Sequence, residues 1–204
     1  MTSWWKEIVF YEIYIPSYFD SNNDGIGDLK GIGQKLDYLK ELGGVEGIWL
    51  TPFYSSPKVD NGYDIADYYQ VDADYGDMAD FEQLIEAAHD RGIKVIVDMV
   101  LNHTSNQHEW FRESKKSRDN KKRDWYIWEP STNNDGPPNN WESFFGGSAW
   151  EYDSMTGEYY YNAFAKEQVD LNWSNENVKE AVFDVLRFWL DKGVDGFRLM
   201  SLIS

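Results

Sequence analysis

Three stretches of this chain repeat apolar residues at helical spacing. Leu29, Ile32, Leu36 and Leu39 follow Asp28, a side chain suited to capping a helix start, and Gly43 supplies a stop. Phe81, Leu84, Ile85 and Ala88 follow Asp77 in the same way and run to Gly92. Val178, Val182, Val185, Leu186 and Trp189, beginning after Ser174 or Asn175, form a third apolar face that ends at Gly193. Each helix is followed within a few residues by a short unbroken apolar run, at 45–50, 93–97 and 194–197, and a fourth run at 8–15 precedes the first helix. Continuous apolar strands alternating with amphipathic helices predict a parallel sheet covered on both faces. The order is β-α-β-α-β, a long insertion, then α-β. Asp195-Gly196 is a hairpin dipeptide, but no second strand follows it closely enough.

The insertion, residues 103 to 173, breaks the rhythm. It is rich in Asn, Asp, Gly, Pro and Trp, as in "NNDGPPNNWESFFGGSAWEYD", with a strand-like "EYYYNAF" later. It reads as a loop-rich subdomain that leaves the sheet after the third strand, between segments 1–102 and 174–204. No internal repeat or low-complexity linker is present.

Composition narrows the function. The 204 residues suffice for one domain with a sizeable core, or for part of a larger one. A net charge of −17 makes nucleic acid and anionic membrane surfaces poor partners. The 10 Trp, 14 Tyr and 11 Phe supply either a rich core or a site with rings for flat apolar faces. There is no cysteine, which excludes disulfides and thiolate metal sites. The opening "MTSWWKEIVFYEIYI" lacks the pattern of a secretory signal, and no apolar run reaches the ~18 residues of a membrane span. A soluble, cytoplasmic protein is the expectation.

Four stretches could carry chemistry. In "DSNNDGIGD", Asp20, Asn22 and Asp24 alternate, Gly25 permits a sharp turn, Ile26 offers a carbonyl and Asp28 adds another oxygen. That oxygen set suits a structural Ca²⁺ or Mg²⁺. Gly31 stands where an EF-hand needs Glu, and a strand precedes the loop, so an EF-hand is rejected. The alternative is a turn that caps the next helix. In "VIVDMVLNH", Asp98 ends a buried strand and Asn102 and His103 follow in the loop, the edge where parallel α/β folds assemble their sites. A capping Asp and a core His are the plain alternative. His103, His108 and Glu109 lack a further partner for zinc. In "VDNGYDIADYY", Tyr63 and Asp64 place a ring beside a carboxylate, a pairing suited to a sugar, or else form a turn with a surface Asp. Arg198 could orient a carboxylate on a ligand or pair with Asp98 as structure. Phosphate-binding Gly-rich loops and the G-x-S-x-G elbow are absent.

Taken together, "DSNNDGIGDL", "IWLTPFYSSPKVDNGYDIADYY", "VIVDMVLNHTS", "RDWYIW", "NNWESFFGGSAW", "QVDLNW" and "GVDGFR" resemble the α-amylase superfamily of glycoside hydrolases. They arrive in the family's order and match best the exo-acting α-glucosidase branch, which includes oligo-1,6-glucosidases. The resemblance implies an α/β fold: the N-terminal half, strands 1 to 4, of a (β/α)8 barrel with a loop-rich domain B after strand 3. It implies a bound cation at Asp20, Asn22, Asp24, Ile26 and Asp28, with Tyr63, Asp64, His103 and Arg198 around the terminal glucose and Asp98 in support. It also implies cleavage of α-glucosidic bonds with retention, by a nucleophilic and an acid/base carboxylate about 5 Å apart.

Three departures stand out. Gly196, Phe197, Arg198 and Leu199 fit the strand 4 pattern, but Met200 fills the position of the nucleophilic Asp, and a thioether cannot take that role; alternatively "RLMSLIS" has lost two residues from a family-like "RLDVMSLIS", which also removes the Asp. The acid/base Glu and the third carboxylate belong to later strands of the family. "LGGVEGIWL" carries one extra residue, and Val169 stands where relatives often have Pro. The expectation is an α-glucosidase seen as a truncated, inactive chain, with self-association through exposed barrel edges. The alternatives are a non-catalytic carbohydrate-binding or interaction module, and a truncated product without function.

Overall fold

The computed structural model describes residues 3–132 and 136–199. The chain divides into two units. One takes in the described residues of Met1–Ser55, with Tyr69–Met99 and Leu186–Leu199; the other is built from Ser56–Tyr68 and Val100–Val185.

The first unit is organised by a four-stranded parallel sheet. Its strands are β1 (Val9–Ile13), β2 (Val45–Leu50), β3 (Lys94–Met99) and β4 (Gly196–Leu199), hydrogen-bonded in that order. The apolar runs form these strands because Ile13, Ile48, Leu50, Val95 and Val97 lose all contact with water. The α/β class and the parallel sheet agree with the sequence.

Helices α1 (Leu29–Gln34), α2 (Leu36–Glu41), α3 (Met78–Asp90) and α4 (Glu176–Asp191) occupy the expected positions, with one difference. The first amphipathic stretch is broken at Lys35, whose N–H turns to Ile32 and Gly33 carbonyls. Gly31 and Gly33 weaken this stretch as a continuous helix. Gly31 is required by packing: a Cβ there would lie 2.0 Å from the Phe19 carbonyl oxygen. Helix α3 starts at a capping box in which Asp77 accepts from Asp80 N and Asp80 from Asp77 N. The run 8–15 also divides. Its strand stops at Ile13, and Ile15–Tyr18 forms one helical turn around Pro16.

Trp189 anchors the first unit's core. It meets Phe53, Tyr54 and Phe81 edge-on at centroid distances of 5.1, 5.3 and 5.0 Å, while Phe53 stacks on Phe81.

In the second unit a three-stranded antiparallel sheet joins Trp128–Pro130, Glu158–Tyr161 and Trp150–Asp153. Phe111 packs against the Trp128 and Tyr160 rings of this sheet, which also meet each other. The buried Arg123 lies 3.5 Å over the Trp128 ring and pairs with Glu158. A second pair of strands, His103–Ser105 and Gln168–Asp170, sets His103 opposite Asp170. No helix among the described residues is long and apolar enough to cross a membrane.

Candidate functional site

The first unit supplies the Asp98–Arg198 pair. β3 and β4 run in parallel with these residues in register, and both lie towards the carboxyl ends of their strands. Arg198 Nη1 reaches the two Asp98 oxygens at 3.2 and 3.3 Å. Asp98 is fully buried, so its charge needs this partner. Tyr54 Oη donates to the Asp98 carbonyl at 2.9 Å and fixes the backbone there. The guanidinium lies 5.0 Å from the Trp49 ring. Arg198 thus pairs with Asp98 through Nη1.

The second unit gathers Asp60, Tyr63, Asp64, His103 and Gln168. Asp64 works inwards. It has no solvent exposure; its Oδ1 accepts from Ser56 Oγ and Asp60 N, both at 3.1 Å, and its Oδ2 from Val59 N at 3.0 Å. Its carboxylate therefore holds the loop 56–64 in shape and is not a surface Asp. Lys58 and Asn61, at φ 61° and 50°, take the left-handed turns this loop requires.

His103 is buried, with Nε2 3.1 Å from the Tyr63 carbonyl and Nδ1 3.4 Å from Asn102 Nδ2. A proton on Nε2 serves the carbonyl, which can only accept, and leaves Nδ1 to accept from Asn102; Gln168 Nε2, also a donor, then makes its hydrogen bond to Asp60 and not to the ring. Burial pulls the imidazole down to about 4, against the raising effects of the Tyr63 carbonyl and Asp64, so it is neutral at pH 7. Gln168 sits beside it. Its Oε1 accepts from Ala165 N at 3.1 Å and its Nε2 donates to Asp60 Oδ2 at 2.9 Å, 3.1 Å from His103 Nε2. The Phe164 ring lies 5.3 Å from the imidazole. Half-buried Asp60 and Tyr63, an amide, an imidazole and a ring make a set suited to a hydroxylated ligand with an apolar face.

Asp60 and Gln168 are the members that sequence reasoning missed. Both lie inside the quoted motifs, and Asp60 stands three residues before Tyr63. Their meeting joins positions 108 residues apart, which spacing along the chain does not reveal. Met200, the residue at the expected nucleophile position, lies outside the described residues.

The oxygen-rich loop is folded by its own side chains. Asp20 accepts from Asn22, Asn23 and Gly25 N–H groups, and the Gly25 bond contributes most to holding its carboxyl below the ordinary range. Asp24 accepts from Ile26 N and Asn22 Nδ2, and Asn22 Oδ1 from Asp24 N. Asp28 is buried; its Oδ1 caps α1 through Gly31 N, and its Oδ2 takes Ser21 N and Oγ. Among the described residues, no group of three or more His, Cys, Asp or Glu side chains is placed to hold a metal ion. The loop's remaining donors are an amide and a carbonyl oxygen.

Comparison with known proteins places this geometry. Residues 12–202 match the family model described as the α-amylase catalytic domain. The chain is 59% identical over 203 residues to an oligo-1,6-glucosidase from Parageobacillus thermoglucosidasius, covering 98% of this chain and 36% of that enzyme. It superimposes at a TM-score of 0.95 and 54% identity on the trehalose-6-phosphate hydrolase of Bacillus licheniformis, covering 97% of this chain and 36% of that one. The isomaltulose synthase of Protaminobacter rubrum aligns with the same TM-score of 0.95 at 51% identity, covering 98% of this chain and 36% of the synthase. The chain thus spans little more than a third of the length of these relatives, and its four parallel strands correspond to part of a glycoside hydrolase barrel. On this match the chain belongs to the α-amylase catalytic-domain family.

Proposed function

We propose that this chain binds the α-glucosyl unit of small oligosaccharides and, with Met200 at the nucleophile position, does not hydrolyse the bond itself. The single observation that carries the binding reading is the His103 cluster: a neutral imidazole held beside Gln168, Asp60 and Tyr63, with a Phe164 face. Sugar hydroxyls both donate and accept, and such a set answers both while the ring packs against a sugar's C–H face. The family-level activity behind it is hydrolysis of α-glucosidic bonds, as the names of the hydrolytic relatives suggest, and we propose that it proceeds with retention. The relatives include an oligo-1,6-glucosidase at 59% identity and an isomaltulose synthase at 51%, so identity at this level goes with more than one product.

In this reading Asp60 accepts from sugar hydroxyls and Gln168 orients Asp60. His103, neutral near pH 7, keeps its place by donating to the Tyr63 carbonyl. Asp98 and Arg198 stabilise the strand ends. A carboxylate at position 200 would attack the anomeric carbon; a thioether carries no charge to do so or to stabilise an oxocarbenium ion. The test is release of p-nitrophenol from p-nitrophenyl α-glucoside. The expected result is no turnover above buffer. Clear turnover that disappears in Asp60→Ala would overturn the reading of Met200.

We also propose that Asp20, Asn22, Asp24, Ile26 and Asp28 hold a structural Ca²⁺ or Mg²⁺. The donors are oxygens throughout, the chemistry such ions prefer, and Asp28 would serve both the ion and the helix cap. Thermal unfolding should move to higher temperature with Ca²⁺ or Mg²⁺ and back with a chelator. A melting temperature indifferent to both ions and to chelator would remove the cation.

A further inference from the structure

We infer that Asp170 is a positioning residue for the His103 cluster, and that its carboxylate is a clasp whose protonation loosens the cluster and weakens sugar binding. This pH control rests on the α-glucoside reading above and belongs to that same site. Asp170 is 3% exposed and acts through its neighbours.

Two segments of the second unit share this one carboxylate. Asp170 Oδ1 accepts from Asn102 Nδ2 and Oδ2 from Ala163 N, both at 2.8 Å. Each bond leads to the cluster. Asn102 precedes His103, and its amide nitrogen also lies 3.4 Å from the ring's Nδ1. Ala163 precedes Phe164, whose ring lies 5.3 Å from the imidazole. Asp170 itself stands opposite His103 in the strand pair, two residues after Gln168. One side chain thus ties together the backbone that carries the imidazole, the amide and the phenyl ring.

Both bonds require the ionised form. A backbone N–H and an amide nitrogen can only donate, so a carboxyl oxygen that carries a proton turns an O–H towards an N–H. A proton on Oδ2 takes the acceptor from Ala163 N and frees the segment that bears Phe164. A proton on Oδ1 takes it from Asn102, and turning that amide round would set its oxygen against Nδ1, the ring nitrogen that accepts. No placement of the proton keeps both bonds and the His103 contact.

The surroundings set where the clasp opens. Burial pushes the Asp170 carboxyl up to about 6, against the two bonds that favour the carboxylate. The groups on the elements packed against it titrate elsewhere. His103, on the paired strand, is neutral above about 4. Tyr160 and Tyr161, on the strand Glu158–Tyr161, are raised by burial, and Tyr161 also by the Asp170 charge. Burial likewise raises Tyr126, which bridges to Leu171. Glu158 is engaged by Arg118 and Arg123.

The test is a pH series on the isotopically labelled chain, by NMR without sugar and by calorimetric titration with methyl α-glucoside. Without sugar, the Ala163 backbone amide, the Asn102 side-chain amide and the Phe164 ring should move together, with one midpoint near 6. About a tenth of the molecules then carry the carboxylate at pH 5, so affinity there should be about tenfold weaker than at pH 7.5. Asp170→Asn offers one oxygen to two donors. It should bind about tenfold or more weakly than wild type at pH 7.5 and lose the pH dependence, which separates Asp170 from Asp60, the carboxylate bonded to Gln168. Where that variant fails to fold, the wild-type profiles decide. The clasp is overturned by resonances that share no midpoint, by an affinity level between pH 7.5 and 5, or by wild-type affinity and profile in Asp170→Asn. Absence of binding at every pH, with the shared midpoint intact, would remove the α-glucoside reading and retain Asp170 as the clasp of the cluster.

Discussion

At the scale of single residues, burial decides the charge states that matter. It holds His103 down to about 4 and, aided by Lys122, His108 down to about 3, both from an ordinary 6.5. It pushes Asp170 up to about 6 from 3.8, against bonds from Ala163 N and Asn102 Nδ2. For the histidines the unfolded chain takes up protons that the native state refuses. Their contribution is present above pH 6.5 and lost as pH falls towards 4 and 3. Asp170 acts in the opposite sense: its contribution is present below pH 3.8 and is lost as pH rises through 6. Each histidine is worth on the order of 3 kcal/mol, and two outweigh one Asp. The melting temperature should therefore fall between pH 7 and pH 4, and His108→Asn, which can still accept from Trp110 N, should flatten the fall. A wild-type profile that is level over this range would show that these histidines are not buried neutral.

At the scale of elements, the tightest junction is α1 against the turn before it. Gly31→Ala would drive a methyl into the Phe19 carbonyl at 2.0 Å, and such overpacking costs about 1–3 kcal/mol or more. Chemical denaturation should show that loss, whereas the same change at Gly33, where a Cβ meets nothing within 4 Å, should be neutral or stabilising. Equal effects at the two positions would contradict the packing described. The helices and parallel strands were legible because their apolar positions follow one period each, and Asp28 and Asp77 announced their helix starts. The break at Lys35 was not legible, since Leu36 and Leu39 keep helical phase across it. The short antiparallel strands of the second unit were also hidden, apart from "EYYYNAF". Three- and four-residue strands leave little alternation, and Phe111, Trp128 and Tyr160 come together from distant positions. Tyr63 and His103 could be read from local motifs; Asp60 and Gln168 needed the loop that Asp64 holds inside itself.

At the scale of the whole molecule, the chain presents one unit with a four-stranded parallel sheet and another with the His103 cluster. Among the described residues, β1 and β4 each have a single strand neighbour, and Val9 and Leu199 on these edges are 59% and 52% exposed. Open parallel edges of this kind favour association with further strands, which we propose as self-association in this chain. Family membership accounts for the order of the motifs, while in the function we propose Met200 would separate sugar binding from sugar cleavage. The most direct test of that separation is calorimetric titration of the chain with maltose. Binding in the millimolar range or tighter, weakened tenfold or more by His103→Ala, is the predicted result. No measurable heat of binding in the wild type, or an affinity unchanged by His103→Ala, would contradict it.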